Sequence, residues 1–274
     1  MPPETVSDLL VASAAAAYAG SFAGFVVHVA HREGSPRASL SGRIALWIAA
    51  ALHSSFVLHY AFGFQVCPVK TIHLAISLGV LVAVFVFLVA RIGPRASALG
   101  LFVAPIALCT LLASRFVRFP AVPETLHNRL LPLHVTANVV GDGLFVIAAA
   151  AAALYLVQAR QLTNKRGGRV VGRIPPLDTL DRIEHRLLSA GFVFMTIGAV
   201  TGTVWIAKLG SGTALEVART LLGYLTWVLF CAVLLLRATL GWRGRRAAIG
   251  TLAGFALSIV VVALYLLGAG SGAP

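Results

Sequence analysis

The sequence predicts an all-α, polytopic membrane helix bundle of eight transmembrane helices with both termini outside. Three observations carry that expectation. Apolar residues make up 59% of the 274 residues and charged residues only 11%, with a mean hydropathy of +0.91. A soluble domain carries about 25% charge, so this composition excludes a disordered chain, a collagen and a soluble enzyme. The apolar residues fall into eight stretches, each long enough at 1.5 Å per residue to cross about 30 Å of hydrocarbon. Lysine and arginine gather in alternate loops, which sets an orientation. A backbone in lipid must satisfy its own hydrogen bonds, so the stretches read as helices.

Taken in order, the first span covers residues 8–30. Glu4 and Asp8 precede any basic residue, unlike the positive start of a secretory signal, so this span is expected to stay as an anchor. The second span, 41–62, carries His53 and His59, and Cys67-Pro68 marks a turn before the third, 71–90. The fourth covers 96–114. The fifth, 133–157, opens on His134 and contains an alanine run at 148–153. The sixth, seventh and eighth cover 187–207, 214–236 and 247–268. The whole chain, 1–274, reads as a single integral membrane domain. Sixteen Lys and Arg residues lie in the odd-numbered loops and five in the even-numbered ones, with Arg219 inside the seventh span. The positive-inside rule therefore makes the odd loops cytoplasmic and puts both termini outside. The net charge of +13 is then a cytoplasmic collar against the lipid bilayer, and no nucleic-acid partner is expected. Three widely spaced cysteines form no disulfide framework.

The largest cytoplasmic feature is the loop 159–186. Its first part, TNKRGGRVVGR, is rich in Gly and Arg. PPLD follows, with Asp178 placed to cap a helix. Leu177, Leu180, Ile183 and Leu187 recur at helical spacing, with Asp181, Arg182, Glu184 and Arg186 between them. This predicts an amphipathic helix lying at the inner surface and leading into span six. Its role is either interfacial anchoring or docking of a cytoplasmic partner.

Ionisable residues at membrane depth are expensive and point to function by default. His134, Asn138 and Asp142 follow at i, i+4 and i+8 and form one stripe on the fifth span. The imidazole is a candidate ligand for a metal or haem iron, with the amide and carboxylate as deeper partners. The alternative is a polar stripe that hydrogen-bonds neighbouring helices. His53 and His59 are six residues apart and so face directions about 120° from each other. They are not expected to bind one iron from the same side. Each either faces a pocket or is hydrogen-bonded within the bundle. Glu216 and Arg219, at i and i+3, are placed to pair. The sequence contains no GxSxG, HExxH, Walker loop, CxxCH or carboxylate pair with catalytic spacing. No catalytic residue is assigned, and the protein is not expected to be an enzyme.

Three segments from the fifth span onward stand out: LHVTANVVGDGLFVIAAAAAALYLVQARQL, PPLDTLDRIEHRLLSAGFVFMTIGAVTGTVW and LTWVLFCAVLLLRATLGWRGRRAA. On these the chain, most clearly over 133–250, resembles the cytochrome c assembly protein family of the CcsA/HemX type. The resemblance implies a multi-pass protein of the bacterial cytoplasmic (inner) membrane that handles a b-type haem at the outer face. His134 then corresponds to the first outer ligand and His53 to the first transmembrane histidine, while His59 is a further cofactor-binding candidate. Haem-delivering members carry a tryptophan-rich outer loop ending in W-D-P-K-E. Here that stretch is KLGSGTALEVAR, residues 208–219, and no histidine follows His185. The resemblance therefore implies a HemX-like accessory protein of cytochrome c assembly rather than a haem lyase, with haem and cytochrome c maturation proteins as partners. The alternative is a non-catalytic membrane scaffold or regulator of tetrapyrrole synthesis that docks a cytoplasmic tetrapyrrole-synthesis enzyme. A small-solute transporter using Asp142 ranks third, because no inverted repeat is visible.

Overall fold

The chain lays down one long helix after another, joined by short turns wherever both helix ends are placed. The computed structural model describes residues 3–31, 35–65, 67–89, 97–116, 130–164, 174–209 and 214–270. The helices are α1 (Pro3–Ala30), α2 (Pro36–Gly63), α3 (Ile72–Val89), α4 (Ser97–Phe116), α5 (Leu130–Thr163), α6 (Leu177–Leu209), α7 (Ala214–Leu240) and α8 (Arg245–Gly270). Among the described residues a single 3-10 turn, Pro68–Lys70, leads into α3. No strand occurs among the described residues. Seven of these helices are long and apolar enough to cross a membrane, and α3 is the shorter one. Residues 1–2, 32–34, 66, 90–96, 117–129, 165–173, 210–213 and 271–274 lie outside the described residues. They include His127, the Arg-rich TNKRGGRVVGR segment beyond Asn164 and part of the loop that replaces the tryptophan-rich stretch.

Local chemistry explains the tight turns. Ser35 caps α2 by accepting a hydrogen bond from the Ala38 N–H at 3.2 Å, and Pro36 opens the helix. His28 Nδ1 donates to the Ser35 carbonyl at 2.9 Å and ties the end of α1 to this turn. Farther along, a Cβ on Gly24 would meet the Gly42 Cα at 2.9 Å, so the α1 and α2 backbones nearly touch. Between α7 and α8 the chain turns through Gly241 and Gly244, both at positive φ (66° and 64°), a conformation that glycine adopts without steric cost.

At the centre of the bundle lies α5, packed against α3, α6 and α8. Its alanine run is the reason. Ala148, Ala150, Ala151 and Ala152 are essentially fully buried, and small side chains let neighbouring helices approach closely. On the α3 side, a Cβ on Gly79 would meet the Val139 carbonyl at 3.1 Å; on the α6 side, one on Gly141 would meet the Gly191 carbonyl at 3.2 Å.

The expected amphipathic helix leading into span six forms the first turns of α6, which runs from Leu177 to Leu209 without a break. Leu180 is fully buried and Ile183 and Leu187 pack on the core. Two of the polar residues between them, Asp181 and Glu184, are also inside, while Arg182 and Arg186 are exposed. Arg237 of α7 bonds Asp181 Oδ2 at 2.5 Å and Glu184 Oε2 at 3.4 Å. Thr251 of α8 donates to Glu184 Oε1 at 2.5 Å, and the Gly244 N–H donates to Asp181 Oδ1 at 2.8 Å. A buried charge is retained where it is paired and hydrogen-bonded, and this network locks α6, α7 and α8 together at one end. Asp178 lies inside the first turn and pairs with Arg182 rather than capping the helix, while the Pro176 carbonyl accepts the first helical N–H groups.

Candidate functional site

The helical spacing of His134 and Asn138 places both side chains against α6. His134 Nδ1 lies 2.8 Å from the Gly198 carbonyl oxygen. A carbonyl has no proton to give, so Nδ1 carries the hydrogen and donates it. Asn138 Nδ2 donates to the His134 carbonyl at 2.9 Å and lies 3.5 Å and 3.3 Å from the two ring nitrogens. It therefore sits over the imidazole. The space is made by two missing side chains. A Cβ on Gly202 would meet His134 Cε1 at 2.8 Å and Nδ1 at 3.0 Å, and one on Gly198 would strike the Asn138 amide. One turn away, Trp227 Nε1 of α7 donates to Thr196 at 3.0 Å and stacks on Phe192 with ring centres 5.5 Å apart.

Asp142 continues the stripe. Its neighbour Gly141 faces α6 and its other neighbour Gly143 faces Gly79 and Val82 of α3. At 100° per residue, Asp142 leaves α5 in the wedge between α3 and α6. It is half-buried and has no hydrogen-bond or ion-pair partner among the described residues.

The other histidines form separate groups. His53 is fully buried, with Nδ1 3.1 Å from the Tyr18 hydroxyl and Nε2 2.6 Å from the Ser77 hydroxyl. It bridges α1, α2 and α3. His59 lies near the far end of α2, edge-on to Phe64 with ring centres 6.3 Å apart. His73, at the start of α3, meets Tyr60 edge-on, and its buried Nδ1 has no hydrogen-bond partner among the described residues. Among the described residues no group of three or more His, Cys, Asp or Glu side chains converges as a metal site. Arg219 donates twice to the Leu264 carbonyl, at 3.2 Å and 2.8 Å, and lies 4.7 Å from the Tyr265 ring centre.

The partners Tyr18 and Ser77, the glycines under His134 and Arg237 below Asp181 are not expected from the sequence. A signal for the glycines exists. Gly198 and Gly202 are four residues apart on α6, as His134 and Asn138 are on α5, so the two pairs match step for step on adjacent helices.

These features define a multi-pass helical membrane protein with one histidine oriented by a neighbouring helix backbone. The chain belongs to the cytochrome c assembly family: the family model described as "Cytochrome C assembly protein" matches residues 38–268. The chain is similar to "Cytochrome c biogenesis protein CcsA" of Chlamydomonas reinhardtii, with 30% identity over 181 residues, covering 61% of this chain and 47% of that one. The protein of the same description from Trichormus variabilis is 32% identical over 162 residues, covering 58% and 44%. That from Rippkaea orientalis is 40% identical over 95 residues, covering 34% and 27%. The chain thus spans about half or less of the length of these relatives. No solved structure matches the chain.

Proposed function

We propose that this protein is a haem-handling accessory component of cytochrome c assembly in a bacterial cytoplasmic membrane, and that it is not itself an enzyme. The reading includes α3 as an eighth crossing and both termini outside, which puts His134 at the outer end of α5. The observation that carries it is the Nδ1 contact of His134 with the Gly198 carbonyl. An iron-ligating histidine generally donates its other ring N–H to a carbonyl or carboxylate, which fixes its tautomer and orientation. His134 fits a haem ligand on that ground. With Nδ1 protonated, the lone pair is on Nε2. His53 fits less well, because both of its nitrogens bond hydroxyl groups inside a sealed core. His59 lies on α2, edge-on to Phe64 at the end of the same helix.

In this reading the b-type haem supplies the iron and is the cargo of assembly. The chain's own residues orient the ligand: α6 holds the His134 ring by its backbone, Asn138 covers one face of the ring, and the glycines keep the space open. The scaffold reading has less support, because Leu180, Ile183 and Leu187 pack on the bundle and do not form a free docking face.

The test is the absorption spectrum of detergent-purified protein, as isolated and after dithionite, for wild type, His134→Ala and His185→Ala. A Soret band lost only in His134→Ala supports the reading. Equal haem in both variants, or no haem in wild type after reconstitution, overturns it.

A further inference from the structure

The haem reading uses one atom of the T-x-G-x-x-T-G segment of α6, Thr196 to Gly202: the Gly198 carbonyl oxygen. The segment's backbone and its two glycines meet one object, the His134–Asn138 pair of α5. Gly198 supplies the carbonyl that accepts from Nδ1 at 2.8 Å. That carbonyl cannot turn away easily, because it belongs to a helix and also receives the Thr201 hydroxyl at 3.0 Å. Gly202, one turn on, supplies only the absence of a side chain, where a Cβ would press on the ring at 2.8–3.0 Å. A ring displaced by a methyl group at that point loses its line to the Gly198 oxygen.

We propose that Gly198 and Gly202 are positioning residues for the His134 ligand: together they hold its imidazole as the Nδ1–H tautomer with Nε2 as the coordinating nitrogen. This deepens the haem reading and rests on it for the identity of the ligand, but the geometry it describes exists before any haem binds. Glycine at 202 is then kept for the ring it admits. That differs from the usual role of small residues in membrane helices, which is close packing of backbones. Gly191 on the same helix admits a different, apolar ring. A Cβ there would meet Phe145 Cε1 at 2.5 Å, and it lies about 16 Å along the helix from Gly202 at 1.5 Å per residue. It serves as a packing control of similar severity.

The decisive measurement uses haem-free, full-length protein in detergent or nanodiscs, with 15N-labelled histidine, at mildly alkaline pH. An imidazole in water favours the Nε2–H tautomer, and a hydrogen bond at Nδ1 selects the other. Wild type and Gly191→Ala should show His134 as the Nδ1–H tautomer, identified by loss of its signals in His134→Ala. Gly202→Ala should move His134 toward the Nε2–H form. Gly198→Ala, which displaces the Asn138 amide, should shift the ring signals without restoring the wild-type pattern. An Nε2–H tautomer in wild type, or a Gly202→Ala spectrum identical to wild type, overturns the proposal.

A haem titration forms the second arm. Gly202→Ala should weaken haem binding by about 10–100-fold, the usual effect of disturbing a ligand's supporting hydrogen bond, whereas Gly191→Ala should leave it within about twofold. Equal weakening in both variants would show a packing effect alone and overturn the positioning role. If His134→Ala binds haem as wild type does, the haem reading fails, and the tautomer measurement still decides whether α6 orients the ring.

Discussion

Replacing Arg237 by methionine removes the cation that faces two buried carboxylates. Its side chain is 8% exposed, Asp181 is 12% exposed and Glu184 is 2% exposed. After the change Asp181 keeps the Gly244 N–H and Glu184 keeps the Thr251 hydroxyl, but neither acid retains a counter-charge in the network. Breaking a buried pair in this way costs about 3–5 kcal/mol, two to four orders of magnitude in the folding equilibrium. The surface pair Asp178–Arg182, with side chains 74% and 56% exposed, is the internal comparison. Exposed pairs contribute about 0–1 kcal/mol, so Arg182→Ala should be nearly silent. The assay is unfolding in mixed micelles with increasing SDS, followed by circular dichroism. A triple variant, Asp181→Asn with Glu184→Gln and Arg237→Met, should recover part of the loss. Its amides still accept from Gly244 and Thr251, and no charge is left unpaired. An Arg237→Met protein within about 1 kcal/mol of wild type, or an Arg182→Ala loss of equal size, would refute the account of this network.

Tyr18→Phe and Ser77→Ala should each lower stability in the same assay by about 1–3 kcal/mol, the range for leaving a buried polar group unsatisfied, while haem content stays unchanged. A loss of haem from either variant would bring His53 into the binding site. Asp142→Leu should favour membrane insertion of α5 in a translocon assay by about 3–4 kcal/mol, because no described group compensates the carboxyl. An insertion-neutral result would reveal a partner for it. Reporter fusions at Gly168 and Gly272 should report cytoplasmic and external positions respectively, and a shared side would overturn the outside–outside arrangement.

Hydropathy alone locates the helices, since a run of about 20 apolar residues has one stable form in lipid. All eight expected spans overlap helices α1 to α8, and the i, i+4 spacing is enough to put His134 and Asn138 on one face of α5. Side-chain environment is a different matter. Val57 is buried and its neighbour Leu58 is 55% exposed, yet both are aliphatic. Lipid is as apolar as a protein core, so the pattern of a membrane helix does not separate the face that meets protein from the face that meets lipid. The same blindness hides the partners. His53 finds Tyr18 35 residues away and Ser77 24 residues away, and Asp181 finds Arg237 56 residues away. Asp181 and Glu184 read as part of a water-facing side with Arg182 and Arg186, because local periodicity cannot anticipate a cation delivered by another helix. Helix existence is a local property, set by backbone hydrogen bonding within one segment. The pairing of buried charges, and the fit of a ring over a missing Cβ, arise only when helices distant in sequence pack side by side.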